Sequence, residues 1–405
     1  MPPIQPAPLQ PLQPLQPLQR LGIGLISVGW MGRVHTRAYR NVNEHYPELP
    51  VRPELVVAAD IVESNRNDAV ERLGYQRAVA DYREVLADPE VQAVSICAPN
   101  FLHQEIALAA AQAGKPFWIE KPMGRNLAES TAIAAAAEKA GLVTAVGFNY
   151  RNPPAIAKAR AFIAAGRLGR ITNVRVSFLA DYSSNPDGPL MWRFRRDQAG
   201  SGVYGDLLSH GFDLATHLVG PIREVTAAQD TYIPQRPKLT GTAIGHTPSA
   251  PSTPTVPTAT ETVENEDYAA VLARFTNGAL GVFESSRIAV GPRAEYIIEV
   301  YGTEGSLRWD FQRLNELRLA IRGEQDYGYT TLYAQPGDGD FARFQPGGGT
   351  SMGFDDLKTI EAAHFCRSIA DGVQHGPSAA DGRAAAALAH AADLSARTRQ
   401  WVPVP

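Results

Sequence analysis

LGIGLISVGWMGRVH, residues 21–35, passes from an apolar run, Leu21 to Ile26, through small residues into a segment that suits the first turn of a helix. A strand that turns sharply into a helix is how a dinucleotide-binding βαβ unit begins. The reason is close approach. A pyrophosphate sits on the amino end of a helix, where unpaired N–H groups and the helix dipole favour negative charge. A side chain at Gly29 would stand in its way. Against the pattern G-x-G-x-x-G the stretch reads Ser27-x-Gly29-x-x-Gly32. Serine keeps the first position small, but its Cβ must fit the φ/ψ of the turn. Ser27, Gly29, Trp30, Met31 and Gly32 are therefore the candidate cradle for cofactor phosphates. Alone, the motif equally describes an ordinary glycine turn, so the rest of the chain decides.

Beyond a proline-interrupted loop, Tyr46 to Pro53, a second apolar run, Leu55 to Ala59, ends in Asp60. An acidic residue there holds ribose hydroxyls by accepting their hydrogen bonds and repels a 2′-phosphate. That favours NAD, with Arg66 keeping NADP as an alternative. Strand and helix patterns then alternate with short links: Glu63–Leu73 helical, Val91–Cys97 extended, Leu102–Ala113 helical, Phe117–Ile119 extended, Ala128–Ala140 helical and Leu142–Val146 extended. Such alternation argues for a parallel sheet covered on both faces, with ligands beyond the carboxyl ends of its strands. The turn at Ser27–Gly32, Asp60, the turn Ala98-Pro99-Asn100 and Glu120-Lys121-Pro122 all fall at such ends. Four segments converge on one crevice.

From Phe148 the pattern changes. A helix over about Pro154–Gly166 leads to a strand, Ile171–Leu179. Beyond residue 222 come six runs of extended character: Val225–Tyr232, Ala269–Phe275, Leu280–Ser286, Tyr296–Tyr301, Ser306–Trp309 and Glu316–Ile321. They imply a mostly antiparallel sheet with one open face. Residues 235–262, rich in Thr, Pro, Ser and Ala, read as a flexible inserted loop. Helices over 355–369 and 379–399 are expected to close over the junction of two domains. The expected architecture is α/β, in three parts. Residues 1–20 are expected to form a disordered arm, extended where Pro-Leu-Gln repeats from Pro8 to Gln19. Residues 21–147 form a Rossmann domain. Residues 148–405 form an α+β domain for substrate and oligomerisation.

Composition narrows the class. The chain has 405 residues, 44% hydrophobic and 20% charged, with a net charge of −4. This gives no basic footprint for nucleic acid and no polybasic membrane signal. No apolar run reaches the ~18 residues of a membrane span. The amino-terminal arm lacks the charged and apolar regions of a signal peptide. Two cysteines, Cys97 and Cys366, read as buried free thiols in a reducing cytoplasm.

Outside the first domain the most informative stretch is Gly200–Gly220, GSGVYGDLLSHGFDLATHLVG. Its apolar spacing is helical, and Asp206, His210, Asp213 and His217 share one face. Three readings compete. A divalent metal site lacks a Cys or third His nearby; a hydrogen-bonded structural set is a second reading. Acid–base work on a hydroxylated substrate is favoured. His210 titrates near neutrality, and Asp206 one turn earlier can orient it or accept a substrate hydroxyl. Lys121, in the crevice where a nicotinamide would lie, can donate to a hydroxyl oxygen and stabilise negative charge as its proton leaves. Asn149, Arg151, Trp192 and Arg193 are candidates for the substrate side.

Several motifs together resemble the glucose–fructose oxidoreductase/inositol dehydrogenase (Gfo/Idh/MocA) family. They are Ser27-x-Gly29-x-x-Gly32 with His35, Pro99-Asn100-x-x-His103, Glu120-Lys121-Pro122, Gly147-Phe148-x-x-Arg151 and Trp192-Arg193. To these are added Gly202-x-x-x-Asp206-x-x-x-His210-x-x-Asp213 and Gly302-Thr303-Glu304-Gly305. The resemblance spans about residues 21 to 403. It implies NAD(P)-dependent hydride transfer at a secondary hydroxyl of a sugar, anhydrosugar or cyclitol. It implies Lys121, Asp206 and His210 as the catalytic set, and Pro99, Asn100, His103 and Glu120 beside the cofactor. The run Trp192-Arg193-Phe194 looks most like the family's levoglucosan and related sugar enzymes. A homodimer or homotetramer is expected, with no resident metal. The alternatives it leaves open are an NAD-dependent glycosidase, a sugar–sugar oxidoreductase, or a non-catalytic dinucleotide-binding regulator. Two positions depart from the family pattern. Ser27 replaces the first glycine, and Ser201 stands where members often have glycine.

Overall fold

The computed structural model describes residues 19–238, 259–323 and 328–405. Residues 1–18 of the Pro-Leu-Gln arm and 239–258 of the inserted segment lie outside the described residues.

The first unit is built from β1 (Gln19–Ile26), α1 (Trp30–His45), β2 (Val51–Ala59), α2 (Glu63–Glu71), β3 (Arg77–Val79) and α3 (Tyr82–Ala87). It continues through β4 (Ala93–Ile96), α4 (Asn100–Gln112), β5 (Phe117–Ile119), α5 (Leu127–Lys139) and β6 (Thr144–Val146). The strands are buried on both faces, as parallel strands covered by helices are. Their order is β3-β2-β1-β4-β5-β6, all parallel. The order reverses between β1 and β4, and the carboxyl ends of these two strands flank the crevice where this topology takes its ligand.

Two local expectations are corrected, and two elements are added. Gln19 and Arg20 are not arm but the start of β1, paired with Val51 and Arg52. Pro53 is not loop but lies inside β2. It pairs with Leu21, and β3 joins β2 only from Val57 onward, so Pro53 occupies a stretch with a neighbour on one side. Finally β3 and α3 are too short to show a period in sequence.

The second unit comprises α6 (Pro154–Ala164), β7 (Ile171–Ala180), α7 (Arg196–Ala199), α8 (Ser209–Val219), β8 (Ile222–Asp230), β9 (Gln235–Pro237), β10 (Thr260–Thr262), β11 (Tyr268–Phe275) and β12 (Leu280–Ser286). After these come β13 (Ala294–Gly302), β14 (Gly305–Asp310), β15 (Glu316–Ile321), β16 (Thr330–Tyr333), α9 (Phe341–Phe344), α10 (Phe354–Asp371), α11 (Ala379–Thr398) and β17 (Val402–Pro403). Nine strands form one sheet, ordered β16-β15-β14-β13-β7-β12-β11-β8-β17. Only β7 and β12 pair in parallel. One face buries the main core, including Val176, Phe212, Phe283, Tyr296 and Trp309. The other face leaves Leu272, Leu280 and Val282 exposed. The inserted segment is not all loop. Its ends form the antiparallel pair β9–β10, with Arg236 opposite Glu261.

The carboxyl-terminal helices tie the two sheets together. α10 packs along α1, and α11 along α5, α8 and β8. Ser378 caps α11, its hydroxyl accepting from the Ala380 amide.

Candidate active site

A cleft of about 620 Å³ opens along the carboxyl ends of β1, β2, β4 and β5 and is closed on its far side by residues 182–206. Ser27, Gly29, Trp30, Met31, Asp60, Pro99, Asn100, His103, Glu120 and Lys121 line it, as do Trp192, Arg193 and Asp206. Gly29 precedes the first turn of α1, and a Cβ built on it meets nothing nearer than the Ser27 hydroxyl at 3.9 Å. Space for a phosphate at the helix end is therefore present. Gly32 is different and does not line the cleft. A Cβ there would meet the Ser27 carbonyl oxygen at 2.1 Å, so this glycine serves the contact between helix and strand. Ser27 does not escape the glycine conformation, since its φ is 77°. A left-handed residue with a Cβ costs about 1–2 kcal/mol, and a β-branched one more. Ser27→Gly should thus be tolerated within about 1 kcal/mol of wild type, while Ser27→Val should lower both stability and NAD affinity. Urea unfolding and a cofactor-binding titration check this, and a stable, tightly binding valine variant would contradict it.

Asp60 organises the next turn. Its Oδ2 accepts from the Val28 amide and its Oδ1 from the Val62 amide, both at 2.8 Å. Each oxygen keeps lone-pair capacity for a further donor. Arg66 is turned back on the same loop and donates to the carbonyl oxygens of Asp60 and Ile61.

The carboxyl end of β5 meets the helix of the second unit here. Lys121, joined to Pro122 by a cis peptide bond, donates to the Asp206 carbonyl oxygen at 2.8 Å and to Asp206 Oδ1 at 2.9 Å. Asp206 Oδ2 accepts from the Tyr182 hydroxyl at 2.6 Å. Burial opposes its charge, but Lys121, Arg193 and Tyr182 together hold its carboxyl far below the usual range. The helix expected over 200–220 runs over 203–219 and carries a π turn in its first part. Tyr204–Leu208 is a π turn, and α8 begins only at Ser209. Its entry is held by the Glu266 carboxylate, which accepts from the amides of Gly202 and Tyr204. The expected stripe therefore divides. Asp206 faces Lys121 and Tyr182, whereas Asp213 is engaged by both ends of the Arg151 guanidinium, which also reaches Asp381 on α11.

His210 is buried behind this pair and is not part of the cleft lining. Its ring packs edge-on against Tyr150 and Phe148, its Nδ1 has no hydrogen-bond partner, and Tyr296 donates to its backbone carbonyl oxygen. Burial, reinforced by Lys121, pushes its pKa well below the ordinary imidazole value, so the ring is neutral at pH 7. Asp206 makes no hydrogen bond to His210, contrary to the orienting role expected for it; its oxygens face Lys121 and Tyr182 instead. Asn149 and Arg151 do not line the cleft either. Asn149 is buried, and Arg151 is committed to its two aspartates. One face of Trp192 is covered by the Arg193 guanidinium, 4.3 Å from the ring centre, and Phe101 meets the ring edge-on.

Beneath Lys121 lies a buried charged cluster that sequence reasoning missed. Glu120 Oε1 accepts from His35 Nε2 at 2.9 Å and from Lys358 Nζ at 2.6 Å. Lys358 is also 2.9 Å from Glu361. His35 stacks on Trp118 with centroids 3.4 Å apart. Lys358 and Glu361 are each 1% exposed, so neither charge has water to stabilise it. The separation in sequence, 238 positions between Glu120 and Lys358, hid this pairing. His103 is likewise structural: its two ring nitrogens face the Pro122 and Ala98 carbonyl oxygens and brace the turns on either side of the cleft.

These burials set a pH dependence. Burial lowers the pKa of His35 and His217 to about 4, and lowers those of His103 and His210. A folded pKa below the unfolded value of about 6.5 gives stability that is present above pH 6.5 and lost as pH falls towards 4. Three buried acids act in the opposite sense, Glu266 among them, raised by burial. Burial raises Asp213 to about 6, against Arg151, and Glu361 to about 7, against Lys358. Their contribution is complete below about pH 4 and lost as pH rises through 6 to 7. Four histidines against three acids, with His210 pushed well below its ordinary value, give an expected net loss on acidification. Calorimetric scans should show Tm falling steadily from pH 6.5 to pH 4.5; a flat or rising Tm would contradict this.

Order reversal at β1/β4, an open phosphate cradle and a paired lysine at the strand ends place the chain among the dinucleotide-binding oxidoreductases. Residues 21–148 match the oxidoreductase family with NAD-binding Rossmann fold, and residues 156–308 match the Gfo/Idh/MocA C-terminal domain. The chain belongs to the Gfo/Idh/MocA family. It is 37% identical over 394 residues to the levoglucosan dehydrogenase of Pseudarthrobacter phenanthrenivorans, covering 95% of this chain and 98% of that one. It is 26% identical over 382 residues to the myo-inositol 2-dehydrogenase of Thermotoga maritima, covering 94% and 97% respectively. Among solved structures, levoglucosan dehydrogenase in complex with NADH and levoglucosan superposes with a TM-score of 0.88 at 36% identity, covering 96% of this chain and all of that one.

Proposed function

We propose that this protein is an NAD-dependent dehydrogenase that moves hydride between a secondary hydroxyl of a sugar, anhydrosugar or cyclitol and the nicotinamide. The observation that carries the reading is the Lys121–Asp206 pair, 2.9 Å apart, at the mouth of a cleft whose other end is the open cradle at Gly29. Ser27, Gly29, Trp30, Met31 and Asp60 would hold the cofactor, with Pro99, Asn100, His103 and Glu120 framing the turns beside it. When bound, NAD supplies the hydride acceptor. Lys121 spends two of its three N–H donors on Asp206. The third is available to the substrate oxygen, where it stabilises charge as the proton leaves. His210, neutral because it is buried, takes that proton at an imidazole nitrogen and returns it in the reverse direction. Asp206 acts on Lys121 rather than on His210. Arg151, through Asp213 and Asp381, holds α8 in place beneath His210 rather than touching substrate. Trp192 and Arg193 form the wall facing the sugar.

The relatives' substrates support this class, as do the polar side chains of Arg193, Gln198, Ser201 and Asp206 on the far wall of the cleft. We further propose a second copy of the chain on the open sheet face, where Leu272, Leu280 and Val282 are exposed, giving a homodimer or homotetramer. No helix among the described residues is long and apolar enough to cross a membrane. The two free cysteines, Cys97 and Cys366, suit a reducing cytoplasm. The test is a panel of sugars, anhydrosugars including levoglucosan, and inositols with NAD or NADP, followed by absorbance of the reduced cofactor. Accumulating NADH with at least one compound, and a clear preference for NAD over NADP, is expected. No reduced cofactor with any of them would overturn the reading.

A further inference from the structure

We propose that Tyr182 is a specificity-determining residue of this cleft, accepting a hydrogen bond from the substrate hydroxyl adjacent to the one that reacts. The inference rests on the dehydrogenase reading above and assigns part of its substrate recognition.

Tyr182 follows the end of β7 and lines the cleft together with Lys121, Asp206, Trp192 and Arg193. The residue is 48% exposed and lines the cleft, while its hydroxyl is 2.6 Å from Asp206 Oδ2. A phenol has one O–H donor and two acceptor lone pairs. Here the donor is spent on a carboxylate whose other oxygen binds Lys121. Towards the substrate the phenol can therefore only accept. It selects a ligand O–H and gives nothing to an ether oxygen or a bare C–H at the same place. The adjacent anion polarises the O–H bond and makes the oxygen a better acceptor. The neighbouring Asp206 carboxylate favours the protonated phenol, which keeps the O–H directed at it.

The group is also held in place, as discrimination requires. The Ser183 amide donates to the Arg287 carbonyl oxygen at 3.0 Å. Arg236, 1% exposed and carried on β9, donates to the carbonyl oxygens of Ser183 and Asn185. Arg236 and Arg287 lie over the Phe194 ring at 4.3 and 4.7 Å from its centre. Arg287 is fixed in turn by Asp267 and Asn265. The strand pair β9–β10 thus backs the loop that carries Tyr182. Because Tyr182 touches Asp206, which touches Lys121, the hydroxyl it reads must be a near neighbour of the reacting one.

The test uses the best substrate from the panel and its monodeoxy analogues, with wild type and Tyr182→Phe. Unchanged NAD affinity and Tm should show that the variant is folded. Wild type should prefer the hydroxylated substrate over the analogue lacking the neighbouring hydroxyl by at least tenfold in kcat/KM. In Tyr182→Phe that preference should shrink below threefold, while preferences at more distant hydroxyls persist. Equal losses on substrate and every analogue would show that Tyr182 acts only through Asp206, and would overturn the proposal. So would a variant that keeps the wild-type preference. If wild type reduces NAD with none of the compounds, the dehydrogenase reading falls and this proposal falls with it, an outcome distinct from the two above.

Discussion

His210→Ala should lower kcat by 10²- to 10⁴-fold, and Lys121→Ala by at least 10²-fold, with NAD affinity within about threefold of wild type in both. The two losses have different origins. Without His210 the reaction loses the neutral imidazole proposed as its proton acceptor. Without Lys121 the proton acceptor remains, but Asp206 is left as a carboxylate without its cation and the substrate oxygen without a donor. His210→Ala should therefore be partly rescued by added imidazole, and Lys121→Ala should not. Stopped-flow absorbance of reduced cofactor, with cofactor affinity measured separately, distinguishes these outcomes. Unchanged turnover in both variants would remove Lys121 and His210 from the mechanism.

The second large effect concerns stability. Lys358→Met should destabilise the protein by about 3–5 kcal/mol, because it strands Glu120 and Glu361 in the interior without their cation. Burial alone would push both carboxyls up. Lys358 is what brings Glu120 below its ordinary value, with His35 as its second partner. The double variant Lys358→Met/Glu120→Gln should recover part of the loss, since an amide costs less to bury than an unpaired carboxylate. Urea midpoints for wild type, single and double variants measure this. A single variant within 1 kcal/mol of wild type would mean that the charge is compensated by another route.

The parallel sheet was legible because its strands are short apolar runs closed by glycine, proline or a charged residue. The residues at their carboxyl ends, Ser27, Asp60, Asn100 and Lys121, follow from where those runs stop. The longer antiparallel strands were legible from alternation; β9, β10, β16 and β17, of two to four residues each, were not, since so short a strand shows no period. At the site, Lys121 and Asp206 come together as the motif implied. The misreadings share one cause. Helical spacing says which residues share a face but not what opposes that face. The π turn at Tyr204–Leu208 and the partners Arg151 and Tyr182 decided instead that Asp206 and Asp213 serve different neighbours. Tyr182 itself follows a strand end with no surrounding pattern, and nothing in the sequence marks it.

The buried cation on α10 also bears on how the chain comes apart. Glu120 sits at the end of a strand of the nucleotide-binding sheet, and the charge that makes its burial tolerable arrives from a helix near the other end of the chain. A fragment carrying only the first unit would hold a carboxylate in its interior with histidine as its only partner. Local opening of α10 would therefore cost the strand that positions Lys121 as well, and the two sheets lose their order together. The energetic unit is thus larger than either sheet, and truncation is a poor way to ask what one half does alone.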